Sequence, residues 1–337
     1  MEKTGLILDS NTISGIARLA GDAEAAGFDS VWATELYRTS FGQLAAAALH
    51  TSTVKLGTAV ALAFTRTPLL MALTAFDIDE ISGGRLVLGL GSGAKRTNEL
   101  WHGISHGKPV KRISEYIELL RLMFEGVHRG EAVTYKGEYY DVDLKGYHRA
   151  FEPARTDIPI FLAGVGKNMT KAAGAVADGY IGHVVCSLKY LKEVVCPSIK
   201  SGLEVSGRDR GDFTLSSIIT CAPSKDRKRA EDAARRTIAF YATVKTYAPP
   251  FKLHGFEREA ALIREAFFKE DLDSMIKNVS DEMVRAFAVV GDVDQCRRRV
   301  QEYRRYVDLP ILSAPHYYLD FDEVGEYQKA ILEIFGR

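Results

Sequence analysis

This chain of 337 residues has only four cysteines and two tryptophans, no excess charge of either sign and no long apolar run. Each shortage excludes something. Cys186, Cys196, Cys221 and Cys296 show no C-x-x-C spacing, which argues against a zinc site or a disulfide framework and for reduced thiols. Lys plus Arg and Asp plus Glu number 44 each, so the formal net charge is zero. No footprint for nucleic acid or an anionic membrane follows from that balance. No apolar stretch approaches the ~20 residues of a membrane span. The first ten residues lack the basic and apolar regions of a signal peptide. The expectation is a soluble, cytoplasmic protein with reduced thiols.

Familiar hydrolytic and metal motifs are missing too. There is no His-Glu-x-x-His and no Gly-x-Ser-x-Gly; Gly91-Ser-Gly-Ala94 holds a serine between glycines at the wrong spacing. His102 and His106 are four apart, but the glycines around them point to a loop, where both are expected to face solvent rather than a metal.

What is present is alternation. Short apolar runs at 5–8, 30–33, 54–62, 85–90, 159–163, 180–185, 213–221 and 310–314 read as strands. Helical periodicity lies between them, at 13–26, 41–49, 69–81, 113–127, 169–177, 188–205, 227–247 and 323–335. Eight such units predict an α/β fold, a single (β/α)8 barrel domain over 1–337. A doubly wound sheet is the rival, but it would need a glycine-rich turn after the first strand, and Asp9-Ser-Asn11 is not one. Insertions are expected near 91–112, 128–157 and 249–290. Within the second, residues 131–145 suggest a β-hairpin turning at Lys136-Gly137.

The most informative stretch is Ser82-Gly-Gly-Arg-Leu-Val-Leu-Gly-Leu-Gly-Ser-Gly93. It reads as a helix stop, a strand buried on both faces and a glycine-rich mouth. A second cluster, Ala163-Gly-Val-Gly-Lys-Asn168, follows the fifth strand and opens a helix. Helix N-termini favour anions, and Lys167 adds charge, so a phosphate or a plain tight turn are both open there. Barrel active sites form at the C-terminal strand ends. That rule selects Asp9 and Asn11, Thr34 and Glu35, Thr65 and Arg66, Ser92, Lys95 and Arg96, Gly164 to Lys167, His183, and His316 to Tyr318.

With these segments assembled, the chain resembles the luciferase-like superfamily of flavin and deazaflavin oxidoreductases. The resemblance lies in Gly27-Phe-Asp-Ser-Val-Trp-Ala-Thr-Glu35, Lys55-Leu-Gly-Thr-Ala-Val60, Thr65-Arg-Thr-Pro68, Ile81-Ser-Gly-Gly-Arg85, Gly89-Leu-Gly-Ser-Gly93 and Ala177-Asp-Gly179. Leu253-His-Gly-Phe256, Met283 to Gly291 and Asp294-Gln-Cys-Arg297 make it most similar to the methylenetetrahydromethanopterin reductases, which use coenzyme F420. The resemblance implies F420, with FMN as the alternative, lying across the barrel mouth, and a homodimer. Its ring would rest on Ala59 and Val60, where the family often has a non-proline cis peptide. Gly91, Gly93, Lys95 and Thr97 would border it, and Gly164, Val165, Gly166 and Lys167 would meet its phosphate.

The chain also departs from that pattern. The reductases carry acids where this chain has Ile7 and Ala94, and often end their second strand Asp-His where this chain has Glu35-Leu36. Glu35 is the first candidate for a replacement acid, with an ion pair to Arg66 or Arg96 as its structural alternative. Asp9 and His183 are further catalytic candidates. The reading is an F420-dependent oxidoreductase that transfers hydride to or from a small organic substrate. Its alternatives are an FMN-dependent monooxygenase and a non-catalytic deazaflavin-binding protein.

Overall fold

A computed structural model describes residues 2–336. The strands are β1 (Gly5–Leu8), β2 (Ser30–Ala33), β3 (Lys55–Thr58), β4 (Ala61–Leu62), β5 (Leu86–Gly91), β6 (Thr134–Lys136), β7 (Asp141–Asp143), β8 (Ile160–Ala163), β9 (Gly179–Gly182), β10 (Thr214–Pro223), β11 (Ala288–Gly291) and β12 (Leu309–Ser313). β1, β2, β3, β5, β8, β9, β10 and β12 pair in that order, all parallel, and β12 returns to β1. The chain is a closed (β/α)8 barrel.

Alternation along the strands divides the core. In β1, Ile7 belongs to an interior cluster with Trp32, Ala59, Val87, Phe161, Ile181, Leu309 and Ile311. Leu6 and Leu8 point the other way, into the layer between barrel and helices. Two large rings, Trp32 and Phe161, fill the barrel axis 6.0 Å apart. Glycines on the neighbouring strands make room for them. A Cβ at Gly57 would lie 2.1 Å from the Trp32 ring, and one at Gly179 2.6 Å from that of Phe161. The indole of Trp32 donates to Ser30 Oγ at 2.8 Å, so its polar atom is satisfied inside the barrel.

Three features differ from the periodicity reading. The third strand is split: β3 ends at Thr58, the Ala59–Val60 peptide is cis, and β4 resumes at Ala61. The helix expected over 188–205 contains a π turn at Leu191–Val195, just before Pro197, whose missing N–H breaks the regular ladder. Residues 288–291 form β11, which pairs with the C-terminal half of β10.

The segment 249–290 is otherwise helical and packs Phe251, Ile263, Met275, Met283 and Phe287 against the helix Arg227–Ala242. The hairpin β6–β7 turns at 137–140, and the Glu115 carboxylate accepts the Glu138 and Tyr139 N–H groups. All four cysteines are free thiols. No described helix is long and apolar enough to cross a membrane.

Candidate active site

The C-terminal ends of the barrel strands gather the candidate residues, and each owes its place to the strand before it. Asp9 follows Ile7 by two residues, so it continues the inward face of β1 one pleat nearer the mouth. Burial raises its carboxyl pKa, opposed by the charges of His316 and Arg38 and by the Ser10 N–H. A carboxyl that keeps its proton more readily than usual can act as an acid.

His183, just past β9, sits among aromatic rings. Tyr247 stacks on it at 3.9 Å and Tyr241 meets it edge-on at 4.5 Å. Enclosure pushes its pKa down to about 3. The Val185 N–H donates to its Nδ1 at 3.4 Å, which leaves the ring proton on Nε2. His183 is therefore a neutral hydrogen-bond donor rather than an acid. The rings continue to the end of β12: Tyr241 lies 5.2 Å from Tyr317, which stacks on Phe240 at 3.5 Å and tilts against His316 at 4.2 Å.

Glu35 has a different setting. Its Oε1 is 2.6 Å from Arg66 Nη1, and its Oε2 accepts from Ser40 Oγ at 2.9 Å. The side chains of Glu35 and Arg66 are only 10% and 16% exposed, so the carboxylate is held in a sheltered ion pair. Arg66, not Arg96, is the partner.

On the opposite side of the mouth, Gly91 packs so tightly on Val60 that an added Cβ would fall 2.5 Å from Val60 Cγ2. Gly93 is in the left-handed region at φ 69°. Beneath it, the buried Asn98 donates Nδ2 to Ser92 O at 2.7 Å and to His106 Nδ1 at 2.9 Å. His106 is thus a buried acceptor, 8% exposed, and not the solvent-facing loop residue expected from its flanking glycines; His102 is exposed. No group of side chains among the described residues could hold a metal ion. Lys95 is exposed and only 3.9 Å from Glu99, and Thr97 sits on the same short helix, Lys95–Trp101. Ala94 precedes that helix as an N-cap with no side-chain hydrogen bond. Ile7 is buried within the barrel.

The turn Gly164-Val165-Gly166 leads into the helix Lys167–Val176, whose N-terminus no side chain caps. A Cβ at Gly166 would meet nothing within 4 Å. Lys167 is exposed beside it. The structure thus brings Asp9 and His183 to one aromatic side of the mouth and Val60, Gly91 and Gly93 together on another. Glu35 is turned to Arg66. Tyr241 and Tyr247 were not among the expected site residues, because nothing in helical spacing distinguishes a ring at the mouth from one in the core; Asn98 was not either, because its bonds to Ser92 and His106 form only once the loop folds.

Comparison with known proteins identifies the family and the fold. Residues 2–308 match the family described as luciferase-like monooxygenase. An uncharacterized protein of Mycobacterium tuberculosis is 35% identical over 296 residues, covering 86% of this chain and 87% of its own. The 5,10-methylenetetrahydromethanopterin reductase of Archaeoglobus fulgidus is 36% identical over 325 residues, 94% of this chain and 91% of its own. The solved coenzyme F420-dependent tetrahydromethanopterin reductase of Methanopyrus kandleri superposes with a TM-score of 0.84 at 25% identity, over 99% of this chain and 98% of that one.

Proposed function

We propose that this chain, which belongs to the luciferase-like monooxygenase family, is an oxidoreductase that binds coenzyme F420 and exchanges hydride with a small organic substrate. The observation that carries this reading is the near end-to-end match to a methylenetetrahydromethanopterin reductase, 36% identical over 94% of this chain.

The residues present fit such a coenzyme. An uncapped helix N-terminus opens on free space at Gly166, where a phosphate can be held by backbone N–H groups and Lys167. Val60, backed by Gly91, offers an apolar support for a flat ring at the mouth, and Gly93, Lys95 and Thr97 border it. When bound, the deazaflavin supplies the hydride or takes it up. The chain supplies orientation, exclusion of water and a place for the proton.

Asp9 is the group best suited to hold that proton. It lies just past the end of β1, two residues beyond Ile7, the position where the reductases carry an acid. Its raised pKa keeps part of it protonated where an ordinary aspartate would be ionised. Glu35 is engaged by Arg66 and Ser40, and His183 is neutral, so Glu35 acts as a structural anchor and His183 as a polar contact to the ligand.

The test is anaerobic turnover of reduced coenzyme with a panel of imines, ketones, aldehydes and pterins. Coenzyme oxidation dependent on one acceptor class supports the reading. Binding without turnover on any acceptor favours a carrier, and in a parallel aerobic assay oxygen-dependent consumption of reduced FMN favours a monooxygenase.

A further inference from the structure

Three consecutive backbone carbonyls at the turn Gly164-Val165-Gly166 are each held by a buried hydroxyl. Tyr180 donates to Gly164 O at 2.5 Å, and Tyr190 donates to Val165 O at 2.7 Å. Thr170 donates to Gly166 O from its hydroxyl at 3.2 Å and from its N–H at 3.0 Å. All three side chains are buried, at 0%, 2% and 0% exposure. They come from three elements: β9, the segment after it, and the helix that the turn opens.

A short turn has only so many orientations for its peptide planes. A carbonyl drawn inward presents its N–H partner outward, and an outward carbonyl would repel an anion. Tyr190 is fixed in its turn. Its N–H donates to Ser187 Oγ at 3.0 Å, and that hydroxyl lies 2.7 Å from His254 Nε2. Lys189 Nζ also donates to Leu253 O at 2.9 Å. The segment 249–290, through the Leu253-His254 pair, thus buttresses the residue that holds Val165.

We propose that Tyr180, Tyr190 and Thr170 are positioning residues that withdraw the three carbonyls and so set the turn to accept a phosphate ester, with Ser187 and His254 bracing Tyr190. This rests on the reading that the coenzyme's phosphate lies at Gly164–Gly166. The hydroxyls touch the turn and not the ligand, so their loss acts on phosphate recognition and leaves the ring site alone.

The experiment compares the full-length wild type with Tyr190→Phe, Tyr180→Phe and Thr170→Val. Each protein is titrated with F420 and with its phosphate-free deazaflavin core. The wild type should bind the phosphorylated form more tightly. Each phenylalanine variant should lose about tenfold in affinity for the phosphorylated form while holding the core within about twofold. Thr170→Val should lose less, because its N–H still holds Gly166 O. Ser187→Ala should follow Tyr190→Phe in direction. Equal weakening of both ligands, or no change in either, in both folded phenylalanine variants would overturn the inference while leaving the phosphate site standing. A wild type that binds both ligands equally would overturn the phosphate site itself.

Discussion

Arg66 Nη1 lies 2.6 Å from Glu35 Oε1 and so ties the end of β2 to the turn that follows β4. The pair is sheltered, and Ser40 satisfies the second carboxylate oxygen. Glu35→Gln keeps the shape but removes the charge that balances Arg66. The expected loss of stability is about 1–3 kcal/mol, read as a lower melting temperature. Turnover at saturating ligands should fall by less than about tenfold. A loss of roughly a hundredfold or more, the scale of a missing general acid, would return Glu35 to the chemistry.

Asp9→Asn tests the proton's place. Turnover should fall by about a hundredfold or more, with coenzyme affinity nearly unchanged. Stability should move in the opposite direction. The folded chain binds this proton more tightly than an unfolded one, so the wild type loses stability as pH rises from 3.8, the ordinary aspartate value, through the raised folded pKa. Asp9→Asn escapes that loss. It should melt higher than the wild type at neutral pH, with the gap closing on acidification. A variant that melts lower at neutral pH would contradict the assignment.

His183 gives the reverse slope. Its ordinary value is 6.5 and its folded value about 3, so the folded chain binds this proton less tightly than the unfolded one. The stability it contributes is present above pH 6.5 and is lost as pH falls toward 3. His183→Gln should lower the sensitivity of the melting temperature to acid between pH 7 and 5. Equal slopes in calorimetry would mean that the ring titrates in the native state.

Glycines with similar surroundings in the sequence should behave differently. At Gly57 an added Cβ falls 2.1 Å from the Trp32 ring, so Gly57→Ala should cost roughly 1–3 kcal/mol of stability by overpacking. At Gly91 the clash is with Val60 Cγ2 at 2.5 Å, at the mouth. Gly91→Ala should weaken coenzyme binding several-fold. Equilibrium denaturation and ligand titration on both variants separate the two effects.

The barrel was legible because each strand is a short apolar run and each helix a longer periodic one, and local pattern decides both. The resemblance implied a non-proline cis peptide near Ala59–Val60, and the peptide there is cis; the split of the third strand into β3 and β4 was not legible in the periodic pattern. β11 was not legible: Ala288-Val-Val-Gly291 follows directly on a helix, and only its pairing with β10 makes it a strand. His106 looked exposed because its neighbours are glycines, but Asn98, eight residues earlier, folds under the Gly93 turn to bind it. The Glu35–Arg66 pair was one of two partners that sequence left open. The choice is made by the turn after β4, a contact 31 residues away in the chain. Side-chain direction at the mouth depends on such long-range packing, which periodicity does not carry.

Side-by-side fluorescence titration of the purified chain with F420 and FMN asks whether the barrel mouth receives a deazaflavin. The expected result is saturable binding of F420, at least about tenfold tighter than FMN. Tight binding of FMN with none of F420 would contradict it.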